Sequence, residues 1–232
     1  MRASVSTRAR ITRVSLNLFN EQGERNVSTN HIAVAADISS GNLYYHFANK
    51  QQIVALLVGE YQARVRNALT PATGPISAIE RLRICLDGVI AALWEYRFIY
   101  RDLEHLVQAD PALAMAHRSF SIDCLRSARV LLEELCANGL LAMTAQAQQA
   151  LAINAWLILT SWVRYLYTTS STPVVITAAA VRRGAWQALN LLQGFVTPKA
   201  ASSMAALMEG FRNGKAPEPL EQACVHTPGT SA

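Results

Sequence analysis

The stretch from Ser28 to Phe47, Ser-Thr-Asn-His-Ile-Ala-Val-Ala-Ala-Asp-Ile-Ser-Ser-Gly-Asn-Leu-Tyr-Tyr-His-Phe, gathers the side chains of this protein best suited to chemistry with a partner. Ser40, Asn42, Tyr44, Tyr45 and His46 are hydrogen-bonding or aromatic groups within one short segment. Short polar groups near the start of a helix suit the donors and acceptors of base edges in a major groove, and flanking Tyr, His and Lys suit phosphate oxygens. The elements that must position these groups are written in the same stretch. Ser28 is placed to cap a helix carrying Ile32, Ala33 and Ala36 on one face. Asp37 stands where the chain must turn sharply, and its short polar side chain makes a positive φ less costly than for most residues. Ser39 is placed to cap a second helix in which Leu43 and Phe47, four residues apart, share a buried face.

The flanks complete a small helical head. Ile11, Val14, Leu18 and Phe19 recur at helical spacing from about Thr7 to Gln22, and Gly23 ends the pattern. Asn49 with Gln52 reads as a capping box opening a helix through Ile53, Leu56, Leu57, Tyr61 and Val65.

With these residues in place, the first 65 or so positions resemble the N-terminal domain of the TetR family of bacterial transcriptional regulators. Leu18 to Asn20, Gln22 to Glu24, Asn26 to Thr29 and Gly41 to Phe47 are most similar to the branch that includes PhaD-like regulators of polyhydroxyalkanoate metabolism. The resemblance implies DNA contacts at Thr29, Asn30, Ser40, Gly41, Asn42, Tyr44, Tyr45, His46 and Lys50. Asp37 stands where the family usually has Gly, and Asn42 where many members have Thr. The docking geometry therefore carries over, while the bases read do not.

Charge divides the chain in the same way. Residues 1 to 70 hold eight Lys or Arg against four acids, and the rest hold thirteen against twelve, so the head carries nearly all of the net charge of +5. A head of that sign suits a polyanion, and Arg8, Arg10 and Arg13 are placed to neutralise phosphates. The 232 residues, 51% of them hydrophobic, suffice for this head and a larger body. No signal-peptide core follows the Arg-bearing start, and the uncharged segment 150–163 is too short for a bilayer, which predicts a cytoplasmic protein without membrane association. Cys85, Cys124, Cys136 and Cys224 are widely spaced and lie apart from His at metal-ligand spacing, so reduced thiols are expected, with no metal and no cofactor. The five histidines form no metal motif, and neither a phosphate loop nor a nucleophile elbow appears, so catalysis is not expected.

The expected fold is all-α. It comprises a helix-turn-helix domain over 1–50, a linking helix over 51–69, a helical effector-binding and dimerisation domain over 78–213, and a tail over 214–232. Pro71, Gly74 and Pro75 break the chain after the linking helix. Helices are then expected over 78–96, 97–107, 111–137, 144–169, 176–196 and 198–212. Arg164 is the one charged residue between Leu135 and Val181, so the helices there need cover on several sides. They are either central to one chain or shared across a two-fold axis. The family resemblance favours a homodimer built on Leu159, Trp162, Val163, Val181, Ala185, Leu189 and Leu192. A dimer spaces two recognition helices for a palindromic double-stranded DNA operator.

Phe98, Tyr100, Leu103, Val107, Phe120 and Trp156 are candidates to line an apolar effector cavity, with Arg101, His105 or His117 holding a polar head group. Glu95 to Leu103 resembles the PhaD-like branch, which implies a fatty-acid or acyl-CoA effector. The function expected is a ligand-responsive regulator whose default is repression. A sequence-tolerant nucleoid protein is the alternative, distinguished by its indifference to DNA sequence. A pure protein-interaction module would leave the second helix of the motif without purpose.

Overall fold

The computed structural model describes residues 6–70, 76–169 and 175–212, and most of them lie in helices. Helix α1 (Thr7–Gln22) starts where the Ser6 hydroxyl accepts the Ala9 N–H and stops at Gly23, whose φ of 89° suits a residue without a Cβ. A 3₁₀ turn (Glu24–Asn26) leads into α2 (Thr29–Ala35) and α3 (Ser40–His46). The Asn49 carboxamide accepts the Gln52 N–H at 2.9 Å and opens α4 (Lys50–Leu69), as its sequence predicts. Then come α5 (Ala78–Glu95), α6 (Phe98–Ala109) and α7 (Pro111–Ala137). The Asp110 carboxylate takes the Ala112 and Leu113 N–H groups at the start of α7, with Pro at the first position. Helices α8 (Ala145–Thr169), α9 (Ala178–Asn190) and α10 (Ala201–Arg212) follow. The expected tail and the expected Pro71–Pro75 break lie outside the described residues.

One expected helix is shorter than its sequence pattern. The pattern continued to Val196, but α9 stops at Asn190 and a 3₁₀ turn covers Gln193–Phe195. The chain after it is held by backbone pairing: Ala142 donates to the Phe195 carbonyl at 2.8 Å and Thr197 to the Leu140 carbonyl at 3.1 Å. Leu141 and Val196 thus form an isolated antiparallel bridge. Long-range pairing has overridden local helical preference there.

The described residues fall into two compact units, divided differently from the sequence-based boundaries. One takes the described residues of 1–73 with 84–128; the other takes those of 74–83 with 129–232. The division passes within α5 and within α7, so α6 belongs with the head. In the first unit Ile11, Phe19, Ile32, Leu43, Phe47, Ile53, Leu57 and Phe98 form a core with almost no solvent exposure.

In the second unit α9 packs between α8 and α10. The Trp162 indole donates to the Ala180 carbonyl at 2.8 Å, and a Cβ on Gly184 would lie 2.8 Å from the Trp162 ring. Glycine lets the two helices close over that ring. Of the residues expected at a dimer interface, Leu159, Val163, Val181, Ala185, Leu189 and Leu192 are buried within the single chain, while Trp162 is half-buried and stacks on Tyr165 with ring centroids 5.0 Å apart. A helix that is apolar around most of its girth has an inner face, and Leu159 and Val163 lie on that face of α8. The apolar positions of α8 left outside are Ile153, Leu157 and Tyr165, which are 42%, 54% and 41% exposed.

Candidate nucleic-acid interface

The motif from Ser28 to Phe47 has the geometry its residues imply. The Ser28 hydroxyl accepts the His31 N–H at 3.2 Å, and the Ser28 N–H donates back to the His31 Nδ1 at 3.4 Å, so a histidine completes the capping box. Asp37 holds the turn with φ 51°, its N–H on the Val34 carbonyl, while the Ile38 N–H reaches the Ala33 carbonyl. The Ser39 hydroxyl accepts the Asn42 N–H at 3.2 Å and starts α3. Leu43 and Phe47 are buried beneath it.

The opposite side of α3 is open. Ser40, Gly41, Asn42 and Tyr44 are exposed, Tyr45 projects with 85% of its surface free, and His46 is half-buried with its ring edge-on to Tyr45. Two side-chain bonds tie α2 to α3 on this side. Thr29 Oγ1 and the Tyr44 hydroxyl share a hydrogen bond of 3.0 Å, and the Ser40 hydroxyl donates to Asn30 Oδ1 at 3.1 Å. Arg8 closes the far end of α3: its guanidinium donates to the His46 carbonyl at 2.9 Å and lies 4.3 Å over the Phe47 ring. Arg8 thus braces the helix in addition to bringing charge to its edge, a role its sequence position did not disclose.

Lys50 departs from expectation. Its ammonium donates to the Glu24 carbonyl at 2.9 Å and the Val27 carbonyl at 3.0 Å, and pairs with Glu24 Oε1 at 2.8 Å. Those contacts engage its three protons, so Lys50 fastens α4 to the 3₁₀ turn in this structure. The buried carboxylate of Glu24 is a partner that the sequence pattern did not disclose.

The effector candidates do not gather at one place. Tyr100, His117 and Phe120 do come together, around Tyr61, one of the periodic positions of α4 and not among the expected effector residues. The Tyr61 ring lies 5.8 Å from Tyr100 and 5.7 Å from Phe120, and His117 lies 6.1 Å from both Tyr100 and Phe120. The Tyr61 hydroxyl donates to that of Tyr100 at 3.3 Å. Burial raises both phenols well above their ordinary range, pushes the neighbouring Cys124 thiol up to about 12, and lowers His117. The cluster is therefore uncharged at neutral pH. Arg66, also missed from sequence, stands at its edge with its guanidinium 5.3 Å over the Phe120 ring and 4.0 Å from the Asp123 carboxylate.

Phe98 is core, its ring 5.3 Å from Phe19. Arg101 caps the end of α1 and is not available to a head group, since it donates to the Phe19 and Asn20 carbonyls. His105 lies 3.5 Å from Glu24 Oε2, beside a cavity of about 130 Å³ also lined by Lys50, Val54 and Leu113. Leu103 and Val107 are half-buried on α6, and Trp156 belongs to the other unit. No group of His, Cys, Asp and Glu fit for a metal ion occurs among the described residues, and no described helix is long and apolar enough to cross a membrane.

Comparison with known proteins bears on both units. Residues 11–57 match the bacterial regulatory proteins of the tetR family, and residues 60–204 match the bacterial transcriptional repressors grouped as TetR. A TetR-family transcriptional regulator from Marinobacter aquaeolei VT8 is 36% identical, with a TM-score of 0.81 over 90% of this chain and 100% of that one. The HTH-type transcriptional repressor KstR2 of Mycobacterium tuberculosis is 27% identical over 110 residues, 46% of this chain and 55% of KstR2. The chain thus spans about half the length of the curated relatives it matches first. AibR, solved with isovaleryl coenzyme A and operator DNA, shares the fold at 17% identity and a TM-score of 0.57, over 81% of this chain and 98% of that one.

Proposed function

The chain belongs to the TetR family of bacterial transcriptional regulators, and we propose that it acts as a homodimeric repressor. In this reading it binds a palindromic operator and releases it on taking up a small apolar effector. The observation that carries the DNA-binding part is the outer side of α3. Ser40, Gly41, Asn42 and Tyr45 are exposed there, over a buried Leu43 and Phe47, on a helix already fixed by Thr29, Asn30 and Arg8. Short polar groups read base edges, and Tyr44, Tyr45 and His46 set the register on the phosphates.

The dimer forms through the outer face of α8, at Ile153, Leu157 and Tyr165. A palindromic operator calls for two α3 helices one DNA turn apart, roughly 34 Å. The effector enters the Tyr61, Tyr100, His117 and Phe120 cluster, whose neutral hydroxyls and imidazole suit an apolar chain with one polar group. Arg66 at the rim is the partner for a carboxylate or phosphate, which favours an aliphatic acid or its coenzyme A thioester. The likeness of Glu95 to Leu103 to the PhaD-like branch supports the same class. Because Tyr61 and Arg66 lie on α4, binding there displaces the helix that joins the cluster to the head, and the effector acts by favouring one of two states.

The test is selection of bound sequences from random duplex DNA at fixed salt, followed by footprinting in the presence of excess competitor. A palindrome protected by the wild type, and bound at least tenfold more weakly by Tyr45→Ala, is the expected result. Salt-sensitive binding without sequence preference would instead establish a nucleoid-type protein. Release of the selected DNA by octanoate or octanoyl-CoA, with the response diminished in Arg66→Ala, tests the effector class.

A further inference from the structure

Helix α6 is bonded directly to the root of the reading motif. The Arg101 guanidinium enters the space left by Gly23, where a Cβ would stand 2.9 Å from Nη2, and donates to the Phe19 and Asn20 carbonyls at the end of α1. Its neighbour Asp102, 3.2 Å from Nη2, accepts the Glu24 N–H at 2.9 Å, at the first residue of the 3₁₀ turn leading to α2. The Asn20 carboxamide reaches the other way, donating to the Glu95 carbonyl at 2.7 Å and accepting the Phe98 N–H at 3.1 Å. Arg101 and Asp102 are each only 15% exposed. Charge-assisted bonds in a partly dry site are strong and directional, so these groups hold one geometry.

Tyr100, the residue before Arg101, is the member of α6 that joins the aromatic cluster. Consecutive residues of a helix move together. We propose that Arg101 and Asp102 are positioning residues that make the end of α1 and the 3₁₀ turn follow any displacement of Tyr100, by a route that does not pass through α4. This rests on the effector reading of the cluster. Arg101 thereby acts on the head through carbonyl groups of α1 and touches neither ligand nor DNA.

A mutant cycle that needs no ligand tests it. Phe120→Leu perturbs the cluster, and operator affinity is measured with and without Arg101→Gln, which keeps a donor but cannot span both carbonyls. The expected result is a change of at least fivefold for Phe120→Leu in the wild-type background, less than twofold beside Arg101→Gln, and an intermediate value beside Arg101→Lys. Hydrogen exchange supplies the second readout: protection of the Gly23 and Glu24 amides should respond to Phe120→Leu only when Arg101 is intact, with α8 and α9 unaffected. Equal effects of Phe120→Leu in both backgrounds, or none in either, would overturn the proposal. Tyr100→Phe repeats the cycle should Phe120→Leu not fold. Should selection yield no operator, the regulator reading fails on that ground and the exchange data alone decide the coupling.

Discussion

Replacing Lys50 by Met separates the structural role of this residue from the DNA contact that family resemblance implies. The substitution keeps the aliphatic stem and removes a charge that pairs with Glu24 at 2.8 Å and holds two backbone carbonyls. Glu24 has a side chain only 6% exposed, so its carboxylate would be left charged and poorly solvated. Breaking one partner of a buried pair costs about 3–5 kcal/mol. Lys50 retains 20% of its own surface, which screens the pair and places the expected loss at about 3 kcal/mol. Adding Glu24→Gln removes the stranded charge, so the double variant should recover part of this and lie about 1–2 kcal/mol below wild type. The assay is urea denaturation followed by circular dichroism at one fixed protein concentration, because the proposed dimer would make apparent stability depend on concentration. A loss under 1 kcal/mol for Lys50→Met, together with a weakened operator complex, would refute the reasoning and return Lys50 to the DNA surface.

Asp37→Gly should stabilise the protein by about 1 kcal/mol, because φ 51° costs an L residue what glycine does not incur; the denaturation midpoint should rise. Leu157→Glu should produce folded monomers in sedimentation, whereas Leu189→Glu, at a buried position, should lose helical signal instead. His117 is held below its ordinary value by burial, so its contribution to stability is present above the unfolded-state value near 6.5 and declines as pH falls below it. The variant His117→Gln should therefore lose less stability than wild type between pH 7 and pH 5, as read from the urea midpoint.

The all-α fold and the reading motif were legible because their signals are local. Ser28, Ser39 and Asn49 cap the helices they precede, and Asp37 turns the chain without glycine. What sequence could not supply is the identity of partners distant along the chain. Arg101 was read as a ligand group because a cation beside aromatic residues suits a head group, while its carbonyl partners lie about eighty positions away. The partner of Lys50, Glu24, likewise stands 26 positions away in sequence. For α8, periodicity announced that more than one face is apolar but not which of them meets α9. Leu159 and Val163 took the inner face, leaving Ile153 and Leu157 outside. The periodicity placed Tyr61 on α4, where it is buried; its hydroxyl, bonded to Tyr100, is what makes it part of the cluster.

The side-chain hydrogen bonds between α2 and α3 have a thermodynamic consequence. Thr29 with Tyr44, Asn30 with Ser40, and Arg8 on the His46 carbonyl fix the reading helix before any DNA arrives. A surface set in advance loses little conformational entropy on docking, so the heat-capacity change of operator binding should reflect the apolar area buried and carry no component from coupled folding. The same bonds must be shared or exchanged when a base edge approaches Ser40 or Asn30.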